Sequence, residues 1–246
     1  MLAESGSPKT VVITGASRGL GAGMAERLAA QGYRLGLCAR SAPTITGESI
    51  LSAAVDVRDG EALQRFSHEV EERFGDIHAW INNAGVLDPI GPVRTMNEQD
   101  FSTSIDINLK GVFLGTQSYI RHVRSRPGTG VLINISSGAA QAGYAGWGAY
   151  CAGKSAVDRL TECVALEEAE AGLRAYAVAP GVVDTEMQSK IRACRPSEFP
   201  MVQKFIDIKR EERFNSPEFV ADRLLELIEA PPANGPIVMR LPSEKA

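Results

Sequence analysis

Along the chain, short apolar runs rich in β-branched side chains alternate with longer stretches whose apolar residues recur every three or four positions. The first run, residues 10–14 (TVVIT), is followed at once by Gly15. Its apolar centre shows no alternation with polar residues, which predicts a strand buried on both faces. Similar runs predict strands at 33–38, 53–57, 77–81, 131–136 and 173–179, the last ended by Pro180-Gly181. Between them, helical spacing predicts helices at 22–31, closed by Gly32, and at 60–74, where Leu63, Phe66, Val70 and Phe74 share a face. Further helices are expected at 97–124, at 150–171, stopped by Gly172, and at 217–229. Phe101, Ile105, Val112 and Ile120 mark the inner stripe of the long helix 97–124. A seventh strand is expected at 236–239. Buried strands alternating with helices imply a parallel sheet covered on both faces, because parallel neighbours need a crossover between them. The expected fold class is therefore α/β, a doubly wound parallel sheet of about seven strands with helices on both faces. Ligands should bind beyond the carboxyl ends of its strands.

Composition narrows the function classes. The 246 residues are 44% hydrophobic and 23% charged, an ordinary globular balance. A formal charge of −4 argues against a phosphate-backbone partner, so no nucleic acid is expected. Cys38, Cys151, Cys163 and Cys194 form no C-x-x-C pair, and His68, His78 and His122 form no cluster, so no metal site is expected. Few, unpatterned cysteines fit a reducing cytoplasm. The start, MLAESGSPKT, is polar and carries Glu4, unlike a signal peptide. The uncharged run 127–153 holds seven glycines together with Asn134, Ser136, Ser137 and Gln141, which makes a poor membrane span. No repeat, low-complexity tract or linker divides the chain.

After the first strand comes TGASRGLG, Thr14 to Gly21. Glycines here let the backbone turn tightly and approach a diphosphate, and the helix that follows presents free N–H groups and a positive dipole end. Gly15, Ser17, Arg18, Gly19, Leu20 and Gly21 are therefore expected to hold a dinucleotide, and the sheet is read as Rossmann-type. NAD-binding folds place an acidic residue at the end of the second strand. Here that strand ends LCARS, with Ala39 in the acid's place and Arg40 next. Arg18 and Arg40, with no carboxylate, suit a ribose 2′-phosphate, so NADP(H) is preferred over NAD(H).

Tyr150 and Lys154 are four apart at the start of a helix and share a face that continues inward through Val157, Leu160 and Val164. A nearby ammonium favours the phenolate, so the tyrosine is expected to titrate lower than a free phenol and to trade a proton with a carbonyl oxygen. Ser137, thirteen residues earlier at the end of the fifth strand, could hold the same oxygen. Asn108 interrupts the apolar stripe of the long helix, and a buried amide must be hydrogen-bonded, so it could hold a water beside the lysine. Taken singly, each has a plain alternative: Asn108 a satisfied core amide, Ser137 a cap residue. Together, behind that glycine turn, they point to catalysis.

These motifs resemble the short-chain dehydrogenases/reductases in their single-domain form, over nearly the whole chain. TGASRGLG looks like the family's TGxxxGxG, and Asn82-Asn83-Ala84-Gly85 like its NNAG segment. Asp56-Val57 looks like its adenine-side contact. Pro180-Gly181, with Val183 and Thr185, looks like the segment that holds the nicotinamide carboxamide. Asn108, Ser137, Tyr150 and Lys154 match the catalytic tetrad. The resemblance implies that Tyr150 is the acid in reduction, Ser137 polarises the carbonyl, Lys154 binds the nicotinamide ribose and Asn108 maintains a proton-relay water. It implies one NAD(P)-binding domain, 1–246, with a substrate lid at about 187–214 and a homodimer or homotetramer.

Within the family, GWGAYCAGKSAVD, ALEE and APGVVDTEMQ look like sepiapterin reductase and the benzil reductases, which use NADPH on vicinal dicarbonyls. Two departures stand out. Met239 stands where the pterin-anchoring aspartate of the last strand would align, which favours an apolar diketone over a pterin. Only residues 39–52 join the second and third strands, short for a crossover helix. Ser137, Trp147, Tyr150 and Met187 are expected to line the substrate pocket, with Ile191, Phe199, Met201 and Phe205 in the lid. The expected function is an NADPH-dependent reductase of a small carbonyl substrate. The competing readings are a non-catalytic NADP(H)-binding sensor, which could dispense with the tyrosine and lysine, and an alcohol dehydrogenase working oxidatively.

Overall fold

Seven parallel strands form one sheet in the computed structural model, which describes residues 8–232 and 234–245. Residues 1–7, most of the polar start, lie outside the described residues. The strands are β1 (Thr10–Thr14), β2 (Arg34–Ala39), β3 (Ile50–Ala54), β4 (Ile77–Asn82), β5 (Gly130–Ile135), β6 (Leu173–Ala179) and β7 (Val238–Arg240), in the order β3-β2-β1-β4-β5-β6-β7. The order reverses direction between β1 and β4, so their carboxyl ends open a crevice where a ligand can enter the sheet edge. The helices are α1 (Gly19–Ala30), α2 (Gly60–Phe74), α3 (Glu98–Ile105), α4 (Gly111–Arg124), α5 (Gly148–Glu167), α6 (Glu186–Arg192), α7 (Val202–Arg210) and α8 (Pro217–Glu229).

Alternate side chains of each strand feed opposite layers. Val11 and Ile13 face α1 and α8, packing with Met24, Leu28, Val220 and Leu224. Val12 faces α2, α4 and α5, packing with Phe66, Val70, Trp80 and Tyr119. A strand buried on both sides has no polar alternation, which is why TVVIT reads as it does. Each such fully buried side chain contributes about 1.5–3 kcal/mol.

Three expectations are corrected, and a fourth, the short β2–β3 connection, is as expected. β3 begins three residues before 53, because pairing with β2 starts at Ile50 and ends at Ala54; Val55 still donates to Ala39 O (2.8 Å), and Asp56 then turns out of the sheet towards Arg58. β7 is Val238–Arg240 and not 236–239, since Pro236 has no N–H to give a ladder. The helix 97–124 is interrupted by a π-turn, Asp106–Lys110. Its extra residue per turn moves the inward stripe to Ser104, Asn108, Val112, Thr116 and Tyr119 and leaves Phe101 40% exposed. The short β2–β3 connection carries no helix, and the residues between 39 and 50 run as irregular chain along the edge.

Candidate active site

A cavity of about 1120 Å³ runs along the carboxyl ends of the strands, lined by the glycine turn at one end and by α6 and α7 at the other. That exceeds the range of an ordinary small-ligand pocket and leaves room for a dinucleotide and a second molecule. Every residue expected to touch cofactor or substrate lines it: Gly15, Ser17, Arg18, Gly19, Leu20, Gly21, Arg40, Asp56, Val57, Asn83, Ala84, Gly85, Ser137, Trp147, Tyr150, Lys154, Pro180, Gly181, Val183, Thr185 and Met187. Of the four expected catalytic residues only Asn108 does not; it is fully buried behind the wall.

The glycine turn is built by close approach. Gly15 has φ +68°, and a methyl group on it would lie 2.7 Å from Ala84 Cα, so both conformation and space demand glycine. Gly21 packs against Gly15 O and the Asn83 amide in the same way. Asn83 Nδ2 donates to Thr14 O (2.9 Å) and Gly15 O (3.1 Å), while Thr14 Oγ1 accepts from the amides of Asn83 and Ala84 (3.1 Å each). Two loops at the switch point are thereby tied together. At α2 and α8 a side chain caps the helix start: Asp59 accepts from Ala62 N, and Ser216 from Phe219 N. At α1 the cap position is Arg18, whose side chain gives no cap. The first-turn amides of α1 are left for an anion, which fits the diphosphate of a dinucleotide.

At the adenosine end, β2 finishes at Ala39 with Arg40 exposed beside it, and no carboxylate takes the ribose-binding place. Asp56 is held by Arg58 (2.6 Å), which, helped by Arg40, keeps its carboxyl below the usual range. Arg18 is not a free cation; it bridges the cavity mouth to Glu186 at the start of α6 (2.7 Å). Of the two arginines expected at a 2′-phosphate, the geometry leaves Arg40 available and Arg18 engaged.

Helix α5 presents Tyr150 and Lys154 one turn apart into the cavity floor. Lys154 is 4% exposed, and its Nζ donates to Ile135 O (2.7 Å) at the end of β5 and lies 5.8 Å from the Tyr150 ring centre. Burial pushes its pKa down to about 8, with Asp158 opposing. Ser137, on the loop after β5, accepts from Ala139 N (3.2 Å) and stands beside Tyr150, close enough to favour its phenolate. The expected lowering of the Tyr150 pKa is corrected: burial raises it, Ser137 pulls it back in part, and the lysine does not reverse the sign. A phenolate sealed from water costs more than a partner at that distance returns.

Asn108 sits in the π-turn. Its Nδ2 donates to Val86 O (2.8 Å) and Ser104 Oγ (3.2 Å), and its Oδ1 accepts from Val86 N (2.9 Å). The side chain thus fixes the backbone at Val86. It nevertheless reaches the site: a methyl on Gly85 would stand 3.1 Å from Asn108 Oδ1 and 3.6 Å from Lys154 Nζ.

Over the other end lie α6 and α7, in the segment expected as a lid. Trp147 is sandwiched between Phe199 (4.5 Å, 4° between planes) and Tyr144 (5.1 Å), and meets Tyr150 edge-on (5.8 Å). Leu87, Ile191, Phe199, Phe205 and Ile208 complete an apolar cluster there. The Met239 expectation is displaced by one residue. Met239 turns into the layer beneath α8, whereas Arg240 lines the cavity. Arg240, Leu87 and Asn215 are site residues that pattern reading missed. Asn215 Nδ2 donates to Pro180 O (2.9 Å) and Pro242 O (3.0 Å), joining segments far apart in sequence. No local motif signals such a contact; only the sequence alternation in β7 could have flagged Arg240. Among the described residues no His, Cys, Asp and Glu cluster could hold a metal, and no helix is long and apolar enough to cross a membrane.

Residues 9–196 match the family model of the short chain dehydrogenases. The chain is 34% identical over 233 residues to a benzil reductase of Bacillus cereus that forms (S)-benzoin, covering 89% of this chain and 93% of that one. It is 34% identical over 187 residues to an NADPH-dependent pterin aldehyde reductase of Arabidopsis thaliana, covering 73% and 76%. The crystal structure of a levodione reductase superposes with a TM-score of 0.82 at 27% identity, covering 96% of each chain. With the parallel sheet, the glycine turn and the Ser137–Tyr150–Lys154 floor in place, the matches over most of its length establish that this chain belongs to the short-chain dehydrogenase family of oxidoreductases.

Proposed function

We propose that the protein is an NADPH-dependent carbonyl reductase whose substrates are vicinal dicarbonyls of the benzil kind. The observation that carries this reading is that Ser137, Tyr150 and Lys154 share one cavity with the glycine turn, beneath an aromatic wall. When bound, the nicotinamide supplies the hydride. Tyr150 donates its phenolic proton to the carbonyl oxygen, and burial keeps that phenol protonated at neutral pH, as an acid in the reductive direction requires. Ser137 donates to the same oxygen and polarises it. Lys154, anchored by Ile135 O, has donors left for ribose hydroxyls and for the phenolate as it forms. Asn108 positions the 85–87 backbone behind Lys154 and supports proton relay from there.

Arg40 and the missing carboxylate at the end of β2 support NADPH, as does the name of the pterin aldehyde reductase. Val183, Thr185 and Pro180-Gly181 would hold the carboxamide, and residues 187–214 act as the lid of a single cofactor-binding domain. The benzil reductase likeness supports a diketone, and a cation at 240 does not accept from a pterin's amino groups. The four free cysteines fit a reducing, cytoplasmic setting.

The test is cofactor oxidation by purified enzyme, with benzil and sepiapterin side by side. Benzil is expected to be reduced, faster with NADPH than with NADH, and Tyr150→Phe to lower kcat about 10²–10⁴-fold. Equal turnover of sepiapterin would sink the diketone preference. Undiminished activity of Tyr150→Phe would sink the mechanism.

A further inference from the structure

Arg240 occupies an unusual place for an unpaired cation. In the β6–β7 register it stands beside Ala179, and Leu241 N donates to Ala179 O (2.9 Å), which sets it at the ligand-binding edge of the sheet. Alternation along β7 sends Met239 into the layer beneath α8 and Arg240 to the opposite face, towards the cavity. Its guanidinium reaches Gly138, the neighbour of Ser137: a methyl group on Gly138 would lie 4.0 Å from Nη1.

The other cations at this end of the cavity are mostly matched. Lys190 pairs with Asp88 (3.0 Å) and Arg213 with Glu211 (2.6 Å). Arg240 and Lys204 have no carboxylate partner among the described residues. Lys204 sits over the rings of Tyr144 (5.5 Å) and Phe205 (6.0 Å), on the aromatic wall. An unmatched guanidinium at the edge of a cleft attracts anions, and its planar fork matches a carboxylate. Gly138 adjoins Ser137, so an anion bound there lies beside the reducible carbonyl.

Building on the reductase reading, we propose that Arg240 forms a carboxylate subsite, and that the enzyme's substrates include aryl 2-oxo acids. Such an acid keeps the vicinal dicarbonyl pattern, with a carboxylate as the second carbonyl and the aryl group against Trp147 and Phe205. Its reduction adds a hydride from the reduced nicotinamide to the ketone carbon and the Tyr150 proton to the ketone oxygen; the carboxylate is unchanged.

The probe pair is benzoylformate and its methyl ester, which differ in charge at one position. Wild type is expected to favour the acid over the ester at least about tenfold in kcat/KM, a size suited to a charge-assisted pair. Arg240→Met should cut that preference about tenfold through the KM of the acid, and Arg240→Lys should restore part of it. Damage to the fold would lower both substrates together and leave the ratio alone. A ratio unchanged in Arg240→Met overturns the subsite, whether or not benzil is reduced. Failure of wild type to reduce benzil counts against the diketone reading, not against the subsite. A binding measurement decides the subsite independently of turnover. Titrating mandelate and mandelamide into the enzyme–NADP⁺ complex by calorimetry should show the Kd of mandelate alone rising about tenfold in Arg240→Met. Equal Kd values for mandelate in the two proteins overturn it.

Discussion

Lys154 keeps a charged group where water hardly reaches, and the cost has a measurable pH signature. Its folded-state pKa is lowered to about 8, below the usual lysine value near 10.4. Between those values the unfolded chain binds the extra proton, so stability rises with pH across that window and the penalty is fully present below it. Denaturant unfolding of wild type against Lys154→Met, followed from pH 7 to pH 9.5, should therefore show wild type gaining about 2 kcal/mol relative to the variant. Parallel curves would mean that the lysine is not desolvated in the folded protein. At this scale the sequence was informative about identity and poor on environment. The four-residue spacing put Tyr150 and Lys154 on one face, yet the direction of the tyrosine shift follows from how completely the fold seals it. Asn108 was legible as a polar break in an apolar stripe, while its commitment to Val86 was not, because Val86 arrives from a different loop.

Among the elements, the strands and long helices follow from their own periodicity, and α2, α8, β1 and β6 match expectation at both ends. The segment over the site is different. Its two helices, α6 and α7, were not foreseen as helices, because seven and nine residues dense in charge give little apolar period. Tertiary packing makes them: Ile191, Phe205 and Ile208 are buried against Trp147, and Phe199, just before α7, is fully buried on its ring. Phe199→Ala should remove that support, at the roughly 3–5 kcal/mol typical of such truncations. The loss is expected to be local. Hydrogen exchange in α6 and α7 should quicken by at least about tenfold while β1 and β4 stay protected. Protection lost evenly through the sheet would show that the segment is an integral part of the core and not a separable cover. The π-turn is the other element pattern reading missed, since one inserted residue leaves composition unchanged while rotating everything before it.

For the molecule as a whole, the outer face of α3 and α4 carries Phe101 and Phe113, 40% and 43% exposed, and α5 carries Leu166 at 78%. The two phenylalanines are twelve apart, and with the π-turn's extra residue they fall near one face about three turns apart. Helices whose other face serves the core, yet which still expose aromatic rings, suit a self-complementary contact. Light scattering at micromolar concentration should find a homodimer or homotetramer, and Phe113→Asp should shift it towards monomer. A monomeric wild type would overturn that expectation. The sequence by itself determined the α/β class, the glycine turn, the tyrosine–lysine pair and the lack of an acid after β2, because each is written in neighbours along the chain. Tertiary structure alone decided which arginine is free, since Glu186 that occupies Arg18 lies 168 residues away. It also decided that Arg240 and not Met239 faces the cavity, since a register shift of one residue in a strand exchanges the two faces of the sheet.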